Sequence, residues 1–186
     1  MKLENSFEVP APPEVAWQLL MDVPRVVPCM PGATLDEVVD DSNWKATMQV
    51  KLGPIGLTFA TDVSRQQVDE AARRVTLGAK ARETRNRGRA SATIESSLAA
   101  VNGGTRVDIV TDLSLAGTVA QYGRGMIEDI SSQMVTSFAQ CLQAQLGESA
   151  EAAEQAVAAQ AKPISGLSLF FSSLWRRIKG IGRRSS

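Results

Sequence analysis

The sequence predicts an α+β domain in which a curved antiparallel sheet of six to seven strands grips one long C-terminal helix, with an amphipathic tail helix beyond it. Three observations carry this. Segments with a two-residue apolar period recur between residues 44 and 115, each with one face to bury. A stripe at four-residue spacing follows, through Tyr122, Met126, Ile130, Met134, Phe138 and Leu142. The region 164–184 then combines apolar residues at helical spacing with a basic face.

In chain order, residues 3–9 read as a first strand, and "PAPPEVAWQLLMD" opens on prolines suited to a helix entry. Val15, Leu19 and Leu20 place a helix at about 13–22, with Trp17 packing inward. "VPRVVPCMPGA" is broken by three prolines and a glycine, so it reads as a loop with room for one short helical turn. "ATLDEVV" is a strand and "DDSN" its turn. Trp44, Ala46, Met48, Val50 and Leu52 share one face of the next strand, "GPIG" turns the chain, and Leu57, Phe59, Thr61 and Val63 continue the apolar face. Three more alternating segments follow, Val75 to Ala81, Ala92 to Leu98 and Val107 to Leu115, separated by "DEAAR", "RNRG" and "NGGT". The long helix begins after Gly117. Its stripe fades near Gly147 into an Ala/Glu/Gln-rich segment, so the expected organisation is a domain at 1–146, a linker at 147–163 and a docking helix at 164–184.

The formal net charge is zero, but the last 32 residues hold six basic side chains and no acidic one. That asymmetry predicts an anionic partner for the tail. The apolar run at 164–175 is shorter than the ~20 residues of a transmembrane span. Leu167, Phe170, Phe171, Leu174, Trp175, Arg176, Arg177 and Lys179 instead match a helix lying in the membrane interface on anionic lipid. No aromatic residue interleaves the arginines of "RETRNRGR" to stack on bases, so nucleic acid is not expected as a partner, and that stretch reads as a solvated turn.

Histidine is absent, which removes a Ser-His-Asp triad, a Cys-His pair and the commonest metal ligand. Neither catalytic residues nor a metal site is expected. Cys29 and Cys141 lie far apart without metal-ligand spacing, so a disulfide is not expected either, and a reducing compartment follows. The N-terminal segment lacks an apolar h-region, in keeping with the cytoplasm.

A sheet curved around a helix does not close everywhere to native density, and the space left suits an apolar ligand. Met48, Phe59, Leu77, Ile94 and Ile109 on the strands face Met126 and Ile130 on the helix. Small residues at Ala79, Ala81, Ala92 and Ser96 leave volume unfilled. Met30 in "PCMPG" would form a rigid lip to such a cavity.

The runs "FEVPAPPEVAWQLLMDVPRVVPCMPGA" and "QVKLGPIGLTF", with the long final helix, resemble the carbon monoxide dehydrogenase G-subunit family over about residues 1–146. That family belongs to the helix-grip, START-like (SRPBCC) superfamily. The resemblance implies a non-enzymatic accessory protein of a carbon monoxide dehydrogenase-type molybdenum hydroxylase, on the inner face of the cytoplasmic membrane. It implies a carried respiratory quinone, menaquinone or ubiquinone, with no covalently bound cofactor. Met30, Phe59, Tyr122 and Met126 would then line or guard the quinone site. A ligand-free membrane tether, or a cyclase or hydrolase of the same superfamily marked by paired carboxylates in the cavity, are the alternatives.

Overall fold

The computed structural model describes the backbone of residues 1–52 and 55–160, and side chains of residues 1–51 and 55–147. The chain divides into two units, Met1–Ala150 and Glu151–Ser186. The first contains the seven-stranded sheet.

Seven strands form one antiparallel sheet: β1 (Lys2–Val9), β2 (Ala33–Asp40), β3 (Asn43–Leu52), β4 (Ile55–Asp69), β5 (Arg74–Glu83), β6 (Gly88–Val101) and β7 (Gly104–Gly117). Their order across the sheet is β1-β7-β6-β5-β4-β3-β2, so every neighbour from β2 to β7 is a hairpin partner and only β1 arrives from afar. Register puts Phe59 opposite Met48, Thr61 opposite Ala81 and Ala92 opposite Leu113, which collects the alternating apolar residues on one face. The other face carries Lys45, Asp62, Lys80, Ser91 and Ser114, one row of the polar set.

Between β1 and β2 the chain forms α1 (Pro13–Met21), α2 (Val23–Val26) and a 3-10 turn, Val27–Cys29. The expected loop is therefore more helical than its proline count implied. Each of these elements carries its proline at the first or second position, where the missing N–H has no helical acceptor to lose. The buried stripe of α1 is Ala16 and Leu19, with Leu20 half-buried, whereas Val15 faces solvent. Gly32 closes this segment at φ +78°, and a Cβ there would collide with the Gln49 carbonyl. Its own carbonyl accepts from the Gln49 N–H at 2.8 Å, which fixes the Met30 lip against β3.

Helix α3 spans Arg124–Gln160, so the helix continues through most of the segment expected to be a linker. Its backbone is seated mainly by the half nearest Leu146. Phe138, Leu142 and Leu146 pack with Val9, Ala11, Leu19, Leu98 and Val107 in the larger core cluster, and Phe7 meets the Phe138 ring edge-on at 6.0 Å. Gln143 donates to the Glu8 carbonyl at 2.8 Å, and Thr105, fully buried, donates to the Ala11 carbonyl at 2.7 Å.

Cys29 and Cys141 are joined in a disulfide, with Cα atoms 5.3 Å apart. This corrects the expectation of two separate thiols. The 3-10 turn packs on α3, and residues 112 positions apart in sequence become neighbours by tertiary docking alone. The argument from cysteine usage for a reducing compartment loses its footing. No described helix is long and apolar enough to cross a membrane.

Candidate ligand-binding site

Between the concave face of the sheet and α3 lies a cavity of about 360 Å³. Its floor meets the larger core cluster at Met30 and Phe138, and Leu3 also lines the space. Its walls are Met48, Val50, Phe59, Ile94, Ile109, Leu113 and Leu115 from the strands and Ile127, Ile130, Met134 and Val135 from α3. A second, thinner cluster, in which Leu57, Phe59 and Val119 are the buried members, borders the lining at the other end. Met48, Val50, Ile94, Ile109, Ile130 and Met134 face inward yet remain only half-buried, as expected of side chains bordering space instead of neighbours.

The small residues Ala81, Ala90 and Ala92 create this space on β5 and β6. Polar lining side chains are Thr61, Thr111 and Ser131. The Thr61 hydroxyl is buried without a hydrogen-bond partner, and Ser131 accepts from the Asn5 amide at 3.0 Å, tying β1 to α3. No carboxylate lines the cavity among the described residues, and these include no cluster of groups able to hold a metal ion. Such a lining can select for apolar surface and shape.

Of the residues expected at a ligand site, Met30, Met48, Phe59, Ile94, Ile109 and Ile130 lie on this cavity, and Leu77, Tyr122 and Met126 do not. Met126 is 41% exposed. A strict four-residue spacing overshoots each helical turn by about 40°, so four steps back from Leu142 carry Met126 about 160° round the helix. The cavity-facing stripe instead mixes spacings of three and four through Ile127, Ile130, Met134 and Phe138. Tyr122 packs outside the lining against the thin cluster. Leu77 sits opposite Arg65 and Ile94, at a level where Arg65 donates to the Met21 carbonyl at 2.7 Å and lies 5.0 Å from the Trp44 ring. The proposed membrane-contacting residues Leu167, Phe170, Phe171, Leu174, Trp175, Arg176, Arg177 and Lys179 lie outside the described residues.

The turn between β5 and β6, read from sequence as solvated, contains a buried carboxylate. Glu83 is 3% exposed. Its Oε1 accepts from Arg87 Nη2 at 2.8 Å, and its Oε2 accepts from the backbone N–H groups of Arg85 and Arg87 at 2.8 and 3.0 Å. The Arg87 hydrogen bond, aided by the two backbone donors, outweighs burial and holds the carboxyl down at about 2. Arg87 also donates to the Gly56 carbonyl at 3.1 Å, so this one ion pair ties the β5–β6 turn to the start of β4 at the thin end of the cavity. A Glu four residues before an Arg, across the turn at residues 84–86, was the available sequence signal.

A sheet wrapped on one long helix with an apolar hollow between them defines a helix-grip protein of the START-like class, and solved structures agree. A conserved protein from Geobacillus kaustophilus superposes with a TM-score of 0.71 at 18% identity, covering 80% of this chain and 97% of that one. A START superfamily protein from Mycobacterium smegmatis gives 0.53 at 13%, covering 79% and 97%. The Zhui aromatase/cyclase from a Streptomyces species gives 0.54 at 15%, covering 78% and 92%. At these identities the likeness establishes the fold. The chain belongs to the carbon monoxide dehydrogenase G-subunit (CoxG) family, whose model matches residues 6–147. No curated protein matches it significantly.

Proposed function

We propose that this chain is a non-enzymatic accessory protein of a carbon monoxide dehydrogenase-type molybdenum hydroxylase, which carries a respiratory quinone in the helix-grip cavity and is held at the inner face of the cytoplasmic membrane by residues 164–184. The observation that carries the reading is the apolar cavity itself. Thr61, Thr111 and Ser131 are the only polar side chains in its lining among the described residues, so an apolar occupant there removes hydrocarbon surface from water at about 25 cal/mol per Å² buried. Family membership supplies the partner enzyme, and the amphipathic basic tail supplies the membrane.

The volume also limits what is enclosed. A void of ~150 Å³ holds a benzene ring, so this one accommodates a one- or two-ring quinone head with little to spare. The isoprenoid chain then extends out of the pocket, which is open to solvent. Delipidated full-length protein titrated with menaquinone and ubiquinone, read by tryptophan quenching and native mass spectrometry, should bind one equivalent. Absence of binding to both ends the carrier reading. Flotation with anionic liposomes tests the tail independently: F171S/L174S/W175S should lose most flotation, and full flotation by that variant would remove the tail from the account.

A further inference from the structure

Grooves that share lining residues with the cavity run along both flanks of α3, and their chemistry differs. On the β1 flank a groove of about 470 Å³ shares Leu3 and Ser131 with the cavity, but charge surrounds it. Lys2 pairs with Glu4 at 2.8 Å and Arg124 with Glu128 at 2.7 Å, while the Asn5 amide donates to Ser131 at 3.0 Å and laces the strand to the helix. A hydrocarbon chain laid there would strip water from charged groups. On the other flank a groove of about 530 Å³ lies between α3 and strands β3 and β4. Val50, Leu57, Ile130 and Met134 line both this groove and the cavity, so one layer of side chains separates the two spaces. Gln49, Thr58, Gln133 and Ser137 make its rim, and Lys51 is its only charged residue among the described residues. Gly56, opposite Lys51 on β4, widens it further: a Cβ added there would meet nothing within 4 Å.

We infer that the groove between α3 and β3–β4 is a second ligand subsite, the seat of an aliphatic chain, so that the molecule carried is a ring in the cavity joined to a chain that crosses Met134 and lies along the groove. The inference rests on the carrier reading and adds where the chain goes and that the protein recognises it. Continuity is the first argument, because the wall between the two spaces is itself apolar. Adaptability is the second: Val50 and Ile130 are β-branched and stiff, whereas Met134 between cavity and groove is unbranched and can swing aside for a chain. Capacity is the third. A void of ~150 Å³ holds the six carbons of benzene, or ~25 Å³ per carbon, so 530 Å³ takes roughly four five-carbon isoprene units. The stem of Lys51 can lie over such a chain while its ammonium stays in water.

The test compares quinones that share a ring and differ in the chain. Delipidated full-length protein is titrated with menadione and with menaquinone-4, and with the ubiquinones of no and four isoprene units, read by tryptophan quenching. The chain-bearing member of a pair should bind at least tenfold more tightly than the bare ring, since several buried methylenes are worth more than one decade of affinity. G56F and S137F fill the groove from its two sides without touching the cavity lining. Each should bring the affinity for the chain-bearing quinone down to that for the bare ring and leave the bare ring within twofold of wild type. S132F, on the β1 flank, should change neither. Equal affinity of ring and chain-bearing quinone in wild type overturns the inference while the carrier reading stands. Undiminished binding of the long quinone by both G56F and S137F, loss of the bare ring by both, or loss of the chain's advantage in S132F alone, overturns it too. Binding of none of the four quinones ends the carrier reading itself, and this subsite with it.

Discussion

Filling the cavity from its own wall distinguishes a ligand site from a tightly packed core. Ala81 and Ala92 both line the space and lie on adjacent strands without facing each other directly, since Ala81 pairs with Ala90 and Ala92 with Ala79. A benzene ring occupies a void of ~150 Å³, so each phenyl introduced by A81F or A92F takes up roughly two-fifths of the 360 Å³, and the two together about four-fifths. Burying each phenyl against the apolar wall gains at most about 1.5–3 kcal/mol in protein without ligand. The same substitution forced into a close-packed core would cost about 1–3 kcal/mol. The sign of the stability change therefore reports the void.

Urea denaturation of delipidated protein should give a higher midpoint for A92F at unchanged slope. Quinone affinity should fall for A92F and vanish for A81F/A92F. Ligand at about 100 times its Kd adds ~2.7 kcal/mol, or about 5–11 °C in a domain of this size, so wild type should show that shift in Tm and the double variant none. A double variant that folds cooperatively and binds quinone as wild type does would refute the assignment of the ligand to this cavity.

Two further outcomes follow from the structure. Removing the Cys29–Cys141 disulfide as C29S/C141S releases a link across 112 residues, for which loop entropy predicts about 4.8 kcal/mol and practice about 2–5 kcal/mol; the lost constraint on the Met30 lip should also speed quinone dissociation, measured by stopped-flow transfer to empty vesicles. Glu83 has a carboxyl held at about 2, below its ordinary 4.5, so its stabilisation is complete above 4.5 and disappears as pH falls toward 2. The urea midpoint of wild type should decline across that window, and E83Q, already destabilised at neutral pH, should decline less. Parallel declines would show that the carboxylate is not held as described.

The strands were legible because each has one face on the helix and the hollow and one in water, which writes a period of two into residues such as Trp44, Ala46 and Met48. The cavity was legible only in part. Its apolar wall follows from alternation, and Ala81 and Ala92 advertise missing volume, but on the helix a line of equal four-residue spacing is not a face. Burial on α3 follows 100° per residue, so Ile127 belongs to the wall and Met126 to the surface, although Met126 is the more adaptable side chain. That one-residue difference changes the meaning of Met126. An exposed methionine is a feature of the outside of the cavity, not of its contents. The Cys29–Cys141 link and the Glu83–Arg87 pair were harder still, because each depends on what tertiary docking brings close: a 3-10 turn onto α3 in one case, a carboxylate folded under its own hairpin in the other. Both restrain the margins of the hollow, the first at the Met30 lip and the second at the thin end. They thereby allow the wall between them to remain underfilled without the domain losing its shape.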